Sequence, residues 1–228
     1  MTAAEFEGGL RGKGPMAYEE NSHIPLIIDH PDAPKAVTCH SITSHLDLLP
    51  TMIGLTGLPK LSLFEARKGL PGRDFSLQLM NAQTLGLNAI RSAVLFNYVG
   101  ISTTDEKYLK QKLISSFTHT PVAPLTEINL NLRGMMSFVF DGRYKFARYY
   151  APNHFNTPKT LDEIVKNNDV QLFDLKTDPT EAHNLMLDVK KNKEIILHMN
   201  KVLNDLMAAE VGVNDGSFLP ENVRPKQS

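Results

Sequence analysis

Lys13 is the residue whose neighbours best suit it to meet an anion. It stands between Gly12 and Gly14, and glycines put no side chain in the way of an approaching ligand. Its ammonium is a compact charge suited to a sulfate or phosphate oxygen. On residue chemistry alone the same lysine also fits a solvated surface turn, because glycine marks turns. A nucleotide loop is excluded by spacing. In the pattern G-x-x-x-x-G-K-[ST], Glu7 would occupy the first glycine and Gly14 the final hydroxyl residue.

Other reactive residue types read as structural. Cys39 is followed by His40-Ser41-Ile42-Thr43. Adjacent residues of an extended run point to opposite faces, so a Cys39–His40 nucleophile pair is disfavoured and Cys39 is expected to be a semi-buried structural thiol. His40, His45 and Asp47 form the best metal-like group by composition. Asp47, just ahead of Leu48-Leu49-Pro50-Thr51, reads instead as a helix N-cap, with Pro50 tolerated in the first turn. Glu5 and Glu7 are the only acids before Lys13 and are expected to be solvated. Lys145 and Arg148 are candidate substrate cations, with a solvated sheet face as the preferred expectation.

These residues need elements to position them. Tyr18-Glu19-Glu20 forms a short acidic turn, and the apolar run that follows predicts a strand over His23 to Ile28, with Pro25 at its start or on an edge. A helix from Leu48 stops near Gly57, and Leu58 to Asp74 is expected to be a loop, with a Pro71-Gly72 turn. Ala93 to Val99 is a predicted strand, and Asp105 to Ser115 a weak helix or exposed insertion. Asp141-Gly142 between two β-prone runs predicts a hairpin joining Met136–Phe140 to Tyr144–Tyr150. Gln171 to Leu175 is a further strand, closed by Asp178-Pro179. Ile195, Ile196, Met199, Val202, Leu203 and Leu206 recur at helical spacing over Asn192 to Ala209.

Bulk properties narrow the function classes. The chain has 228 residues, a formal net charge of -1 and 42% hydrophobic residues, enough for a core. The balanced charge gives no reason to expect nucleic acid or an anionic membrane as partner. No apolar run approaches the roughly 18 residues of a membrane span. A single cysteine cannot build an intramolecular disulfide framework. The N-terminus lacks a signal-peptide pattern, so a cytoplasmic location is expected if that terminus is genuine.

Several stretches together resemble one family. Gly12-Lys13-Gly14-Pro15-Met16-Ala17-Tyr18-Glu19-Glu20, then Ile24-Pro25-Leu26-Ile27-Ile28, is similar to the segment after the active-site acids of type I, formylglycine-dependent sulfatases, in the alkaline phosphatase superfamily. Ser44-His45-Leu46-Asp47-Leu48-Leu49-Pro50-Thr51, the turn Leu70-Pro71-Gly72-Arg73-Asp74, the hairpin with Asp141, Gly142 and Lys145, and Gln171 to Glu181 with Asn184-Leu185 follow in family order. The resemblance implies hydrolysis of sulfuric esters, with Lys13 as the catalytic, substrate-binding contact to sulfate and calcium in the complete enzyme.

It also implies a fold. The chain is expected to be α/β: the C-terminal part of an alkaline-phosphatase-like sandwich over 1–130, then a small antiparallel β subdomain with a packed C-terminal helix over 131–228. The family nucleophile pattern, Cys-x-(Pro or Ala)-Ser with a nearby Arg, is not met at Cys39, which also follows the lysine instead of preceding it. No residue of this chain is expected to bind metal. The chain alone is therefore expected to be inactive, with a missing N-terminal half as partner and a small sulfate ester as substrate. The alternatives are the phosphodiesterase or phosphonate hydrolase branch of the superfamily, and a non-catalytic scaffold or interaction module.

Overall fold

The computed structural model describes residues 16–121, 128–154, 157–212 and 221. Lys13, Glu5, Glu7 and the glycines around them lie outside these residues. In chain order the helices and strands are α1 (Glu19–Ser22), α2 (Leu48–Gly54), α3 (Lys60–Arg67), β1 (Val94–Val99), α4 (Ile101–Thr104), α5 (Glu106–Thr118), β2 (Met135–Phe140), β3 (Tyr144–Tyr150), α6 (Leu161–Asn167), β4 (Asn168–Asp174) and α7 (Lys193–Leu206). Two compact units share them. The first comprises Met1–His23, Leu95–Val139 and Arg143–Ser228; the second comprises Ile24–Val94 and Phe140–Gly142.

The first unit is built on a four-stranded antiparallel sheet in the order β1-β2-β3-β4. Asp141-Gly142 turns β2 into β3, with Gly142 at φ +95, a conformation that costs glycine little. β3 pairs with β4 in a register that sets Lys145 against Phe173, Phe146 against Leu172 and Ala147 against Gln171. Side chains alternate across a strand, so β3 sorts cleanly. Phe146, Arg148 and Tyr150 point to one face; Lys145, Ala147 and Tyr149 point to the other. α7 packs against β3 and buries Ile196, Met199, Asn200 and Leu203, the helical-period residues of the sequence. The opposite face packs Ala17 with Met136, Phe138 and Ala147. The rings of Phe96 and Phe138 stack there at 5.0 Å.

Local capping explains the flanking helices. Thr160 and Glu163 form a reciprocal capping box that starts α6, satisfying orphan N–H groups at both ends of the motif. Asp105 caps α5, accepting from Tyr108 N at 3.0 Å and from Asn129 N at 2.9 Å. α7 continues into a wider π turn, Met207–Val211, which ends at Gly212 with φ +101.

The second unit holds α2 and α3 and long stretches without regular structure. Its order comes from side-chain bonds as much as from regular elements. Ser44 caps the 3-10 turn His45–Asp47, with Asp47 reaching back to Ser44 N at 2.8 Å.

Four expectations are corrected. His23 to Ile28 forms no strand, and Ile24, Leu26, Ile27 and Ile28 are exposed; an apolar run becomes a strand only when another strand satisfies its backbone. The expected loop over Leu58 to Asp74 contains α3, which begins directly after Pro59 and stops before Gly69. Cys39 is exposed, because the segment around it packs in no regular element. Finally, the residue whose side chain caps the turn is Ser44; Asp47 shows no side-chain cap bond to α2 and is engaged elsewhere.

Candidate functional site

The stretch directly after Lys13 is fastened to the sheet face opposite α7. Ala17 N donates to Tyr149 Oη at 2.9 Å, and Tyr149 Oη donates to Gln171 Oε1 at 2.8 Å. The Tyr18 ring lies 5.9 Å from that of Phe173. Glu19 N donates to Glu181 Oε2 at 2.7 Å. Between the two glutamates sits Lys145, buried, its ammonium ion-paired to Glu19 Oε1 and to Glu181 Oε1, the latter at 3.0 Å. The Phe138 ring stands 5.7 Å from the same ammonium, within cation–π range.

The chain around Glu181 is shaped to deliver its carboxylate. Asp178 accepts from His183 N at 2.8 Å and Ala182 N at 3.1 Å, closing the turn after Pro179. Glu181 itself adopts φ +54, the left-handed region that disfavours side chains with a Cβ. The two glutamate–lysine pairs and the Glu19 N–H hold it there. Asn184 then accepts from Leu172 N at 3.0 Å, tying the segment back to β4. Burial, the largest influence, pushes the Glu181 carboxyl above its ordinary range, against the pull of Lys145. Burial likewise pushes the Tyr149 phenol up to about 12.

Lys145 and Arg148 therefore do not lie on a solvated face. Both are buried, because β3 is an inner strand covered on both sides. Arg148 points toward α7, where its Nη1 donates to Asn200 Oδ1 at 3.2 Å. Burial lowers its pKa to about 10. Neither cation is exposed to a substrate among the described residues.

The second unit has its own buried charge cluster. Arg91 grips Asp47 with two hydrogen bonds of 2.6 Å, Nε to Oδ2 and Nη2 to Oδ1. Asp47 Oδ1 also accepts from Arg73 N at 2.7 Å. Gly72 makes this possible: a Cβ there would stand 1.7 Å from Leu46 O, so only glycine allows the two backbones to pass. The Pro71-Gly72-Arg73 turn is thus a close-approach device. Burial is the largest single influence on Asp47 and opposes its charge, but the bonds from Arg91, Arg73 and Ser44 together hold its carboxyl below the ordinary range. Sequence reasoning passed over Arg91. The available signal was an arginine set among Ile90, Ala93 and Val94, where a charge needs a buried partner.

Calcium requires several free carboxylate or carbonyl oxygens. The buried acids here do not fit it: Asp47 is taken by Arg91 and two backbone N–H groups, and Glu181 shares Lys145 with Glu19. Among the described residues no group of three or more His, Cys, Asp or Glu could hold a metal ion. His40 and His45 are exposed and form no such group with Asp47.

Comparison with known proteins supplies the context. No family model matches the chain. Sixty residues are 35% identical to the Sulf-1 extracellular sulfatase homolog of Caenorhabditis elegans, over 26% of this chain and 8% of that protein. A protein solved with its substrate D-glucosamine-2-N,6-O-disulfate superposes at a TM-score of 0.54, with 17% identity, over 93% of this chain and 33% of that one. A phosphonate monoester hydrolase of Agrobacterium radiobacter aligns over 75% of this chain and 26% of its own, at 17% identity and a TM-score of 0.46. The chain has the fold of the C-terminal part of a sulfatase. It spans about a third or less of the proteins it matches.

The buried clusters tie together segments far apart in the sequence. Three stretches singled out in the sequence, Tyr18-Glu19, the hairpin with Lys145 and the turn with Glu181, meet at one set of ion pairs. The residue expected to contact sulfate, Lys13, lies just before the fastened stretch in sequence and outside the described residues.

Proposed function

We propose that this chain is the C-terminal portion of a sulfuric ester hydrolase acting on a small sulfated molecule, with Lys13 contacting the sulfate. The observation that supports this best is the clamp on Ala17 to Glu19, which gives the Gly-Lys-Gly stretch a fixed point close by in sequence. Sulfate ester cleavage develops negative charge on the sulfate and leaving-group oxygens, and a positioned cation stabilises that charge. The similar solved protein that binds D-glucosamine-2-N,6-O-disulfate makes a sulfated amino sugar the first substrate to try. One lysine cannot supply the ~8 kcal/mol or more of barrier lowering that enzymes reach. The nucleophile and the metal acids belong to polypeptide outside this chain, and the chain alone does not turn over.

The test is sulfate release from D-glucosamine-2-N,6-O-disulfate, by the chain alone and by the chain joined to whatever reading frame lies directly upstream of Met1. The expected result is no release by the chain alone and release by the joined form. Lys13→Ala in the joined form should lower the rate on the order of 100-fold, as for loss of one charge-stabilising group. Turnover by the chain alone, or an indifferent Lys13→Ala, would overturn the reading.

A further inference from the structure

Arg91, Lys145 and Arg148 are the buried cations among the described residues, and their surroundings differ. Arg91 is gripped by Asp47, and Lys145 lies between Glu19 and Glu181. Arg148 meets no carboxylate among the described residues. Its Nη1 donates to the neutral Asn200 Oδ1 at 3.2 Å, and its enclosed Nε has no hydrogen-bond partner. Burying a charge is costly unless it is paired and hydrogen-bonded. Although its pKa is lowered to about 10, the guanidinium keeps its proton at neutral pH.

The groups around Arg148 are neutral as well. Phe146 and Tyr150 stand on the same face of β3, and the Tyr150 hydroxyl pairs with Ser137 Oγ at 3.1 Å. Asn200 and Asn204, one turn apart on α7, each donate from Nδ2 to Pro158 O at 2.8 Å. The acids of α6 and α7, Asp162, Glu163, Glu194 and Asp205, are exposed. A second orphan lies on the same chain of bonds, for Asn204 Oδ1 is enclosed and accepts no hydrogen bond. Enclosed polar atoms without partners are rare in folded proteins and point to a bound ion or water.

We propose that the interior between β3, α7 and the Pro158 carbonyl holds a small monovalent anion of chloride's size, set against the Arg148 guanidinium. One unneutralised positive charge calls for one negative charge. A monatomic anion accepts hydrogen bonds from any direction and suits the little space a packed interior leaves. A water beside it can donate to Asn204 Oδ1. The ion is a fixed part of the sheet-and-helix core, and neither its binding nor its test depends on the sulfatase reading.

The experiment uses the whole chain at neutral pH and constant ionic strength, with sodium chloride exchanged for sodium gluconate, whose anion is too bulky to be enclosed. The thermal midpoint and the chloride NMR line width are followed. The expected result is a midpoint that rises with chloride and levels off, as binding at a single site requires, together with a chloride line broadened by the chain. Asn200→Asp sets a carboxylate where the amide oxygen meets Arg148 and so supplies the counter-charge internally. That variant should bind chloride at least about tenfold more weakly, and its midpoint should no longer follow chloride. Arg148→Met should lose the response too; Asn200→Asp keeps the guanidinium in place and decides the matter if Arg148→Met does not fold. Lys201→Met, on the exposed side of α7, should respond as the parent does. Equal parent midpoints in the two salts, an unbroadened chloride line, a rise that never levels off, or a response that Asn200→Asp retains in full would each overturn the proposal, as would a response lost equally in Lys201→Met.

Discussion

Arg91 and Asp47 close on each other through two hydrogen bonds of 2.6 Å, although they stand 44 positions apart in the sequence, and both side chains are buried. Removing either partner strands the other charge in the interior, which typically costs about 3–5 kcal/mol. Arg91→Met and Asp47→Asn should each lower the urea midpoint by an amount of that order. The double variant Asp47→Leu with Arg91→Met should lose clearly less than the sum, since no charge is then left unpaired. Additive losses would show that the two side chains act independently.

The same pair sets an acid limit. Asp47 has its carboxyl held low in the folded chain, so its contribution is complete above the unfolded value of about 3.9 and is lost as pH falls through the folded value. Stability measured from pH 6 downward should decline below about pH 4, and Asp47→Asn should flatten that decline. An unchanged slope in the variant would place the acid sensitivity elsewhere.

Gly72→Ala tests the close approach directly. Its Cβ would meet a backbone carbonyl oxygen, not a flexible side-chain end, so the neighbour cannot simply swing away. Overpacking of this kind costs about 1–3 kcal/mol, read as a lower urea midpoint. Gly69→Ala is a poor control, because Gly69 has φ +80. Gly86→Ala meets nothing within 4 Å and should lie within about 0.5 kcal/mol of the parent.

Glu181 gives the opposite pH sign. Its folded carboxyl is raised by burial, so the folded chain holds a proton the unfolded chain has lost. Its contribution to stability is greatest below the unfolded value of about 4.3 and falls as pH rises through the folded value. Glu181→Gln should remove that fall. Lys145→Met should destabilise by about 3 kcal/mol or more, because two carboxylates then face each other without a cation. If Lys145→Met leaves the midpoint in place, the ion cluster contributes nothing.

Burial should keep the Tyr149 phenol neutral well above the ordinary phenol range. Ultraviolet titration of the folded chain should show a phenol remaining neutral beyond pH 10, ionising near 12, and Tyr149→Phe should delete that component. The variant also loses the acceptor for Ala17 N and the donor to Gln171, at about 1–3 kcal/mol. A titration curve identical in parent and variant would contradict the burial of this hydroxyl.

Much of the first unit was legible because its signals are local. Asp141-Gly142 specifies a turn by its own conformational preferences, and Ile196, Met199 and Leu203 declare a helix face within a few turns. The strands carried enough alternation to set their faces. The burial of Lys145 was not legible, because the acids that neutralise it, Glu19 and Glu181, lie far away on either side in sequence. A lysine on an alternating strand looks solvated until its partners are known. Arg91 was hidden for the same reason, its partner Asp47 having a competing local explanation as a cap. The apolar run at Ile24–Ile28 had strand composition, yet a strand is a relation between two segments, and among the described residues none pairs with it.

The ion cluster of Glu19, Lys145 and Glu181 also dictates an order of events during synthesis. It draws one member from near the beginning of the described chain, one from the central hairpin and one from beyond the last strand. A ribosome must therefore release the turn at Glu181 before Glu19 N and Lys145 gain their last carboxylate partner. Until then the hairpin lysine has only one of its two carboxylates. Contacts this distant in sequence close slowly. A nascent chain halted before Glu181 would present a formed hairpin without its final fastening, and its early segment should be cut first.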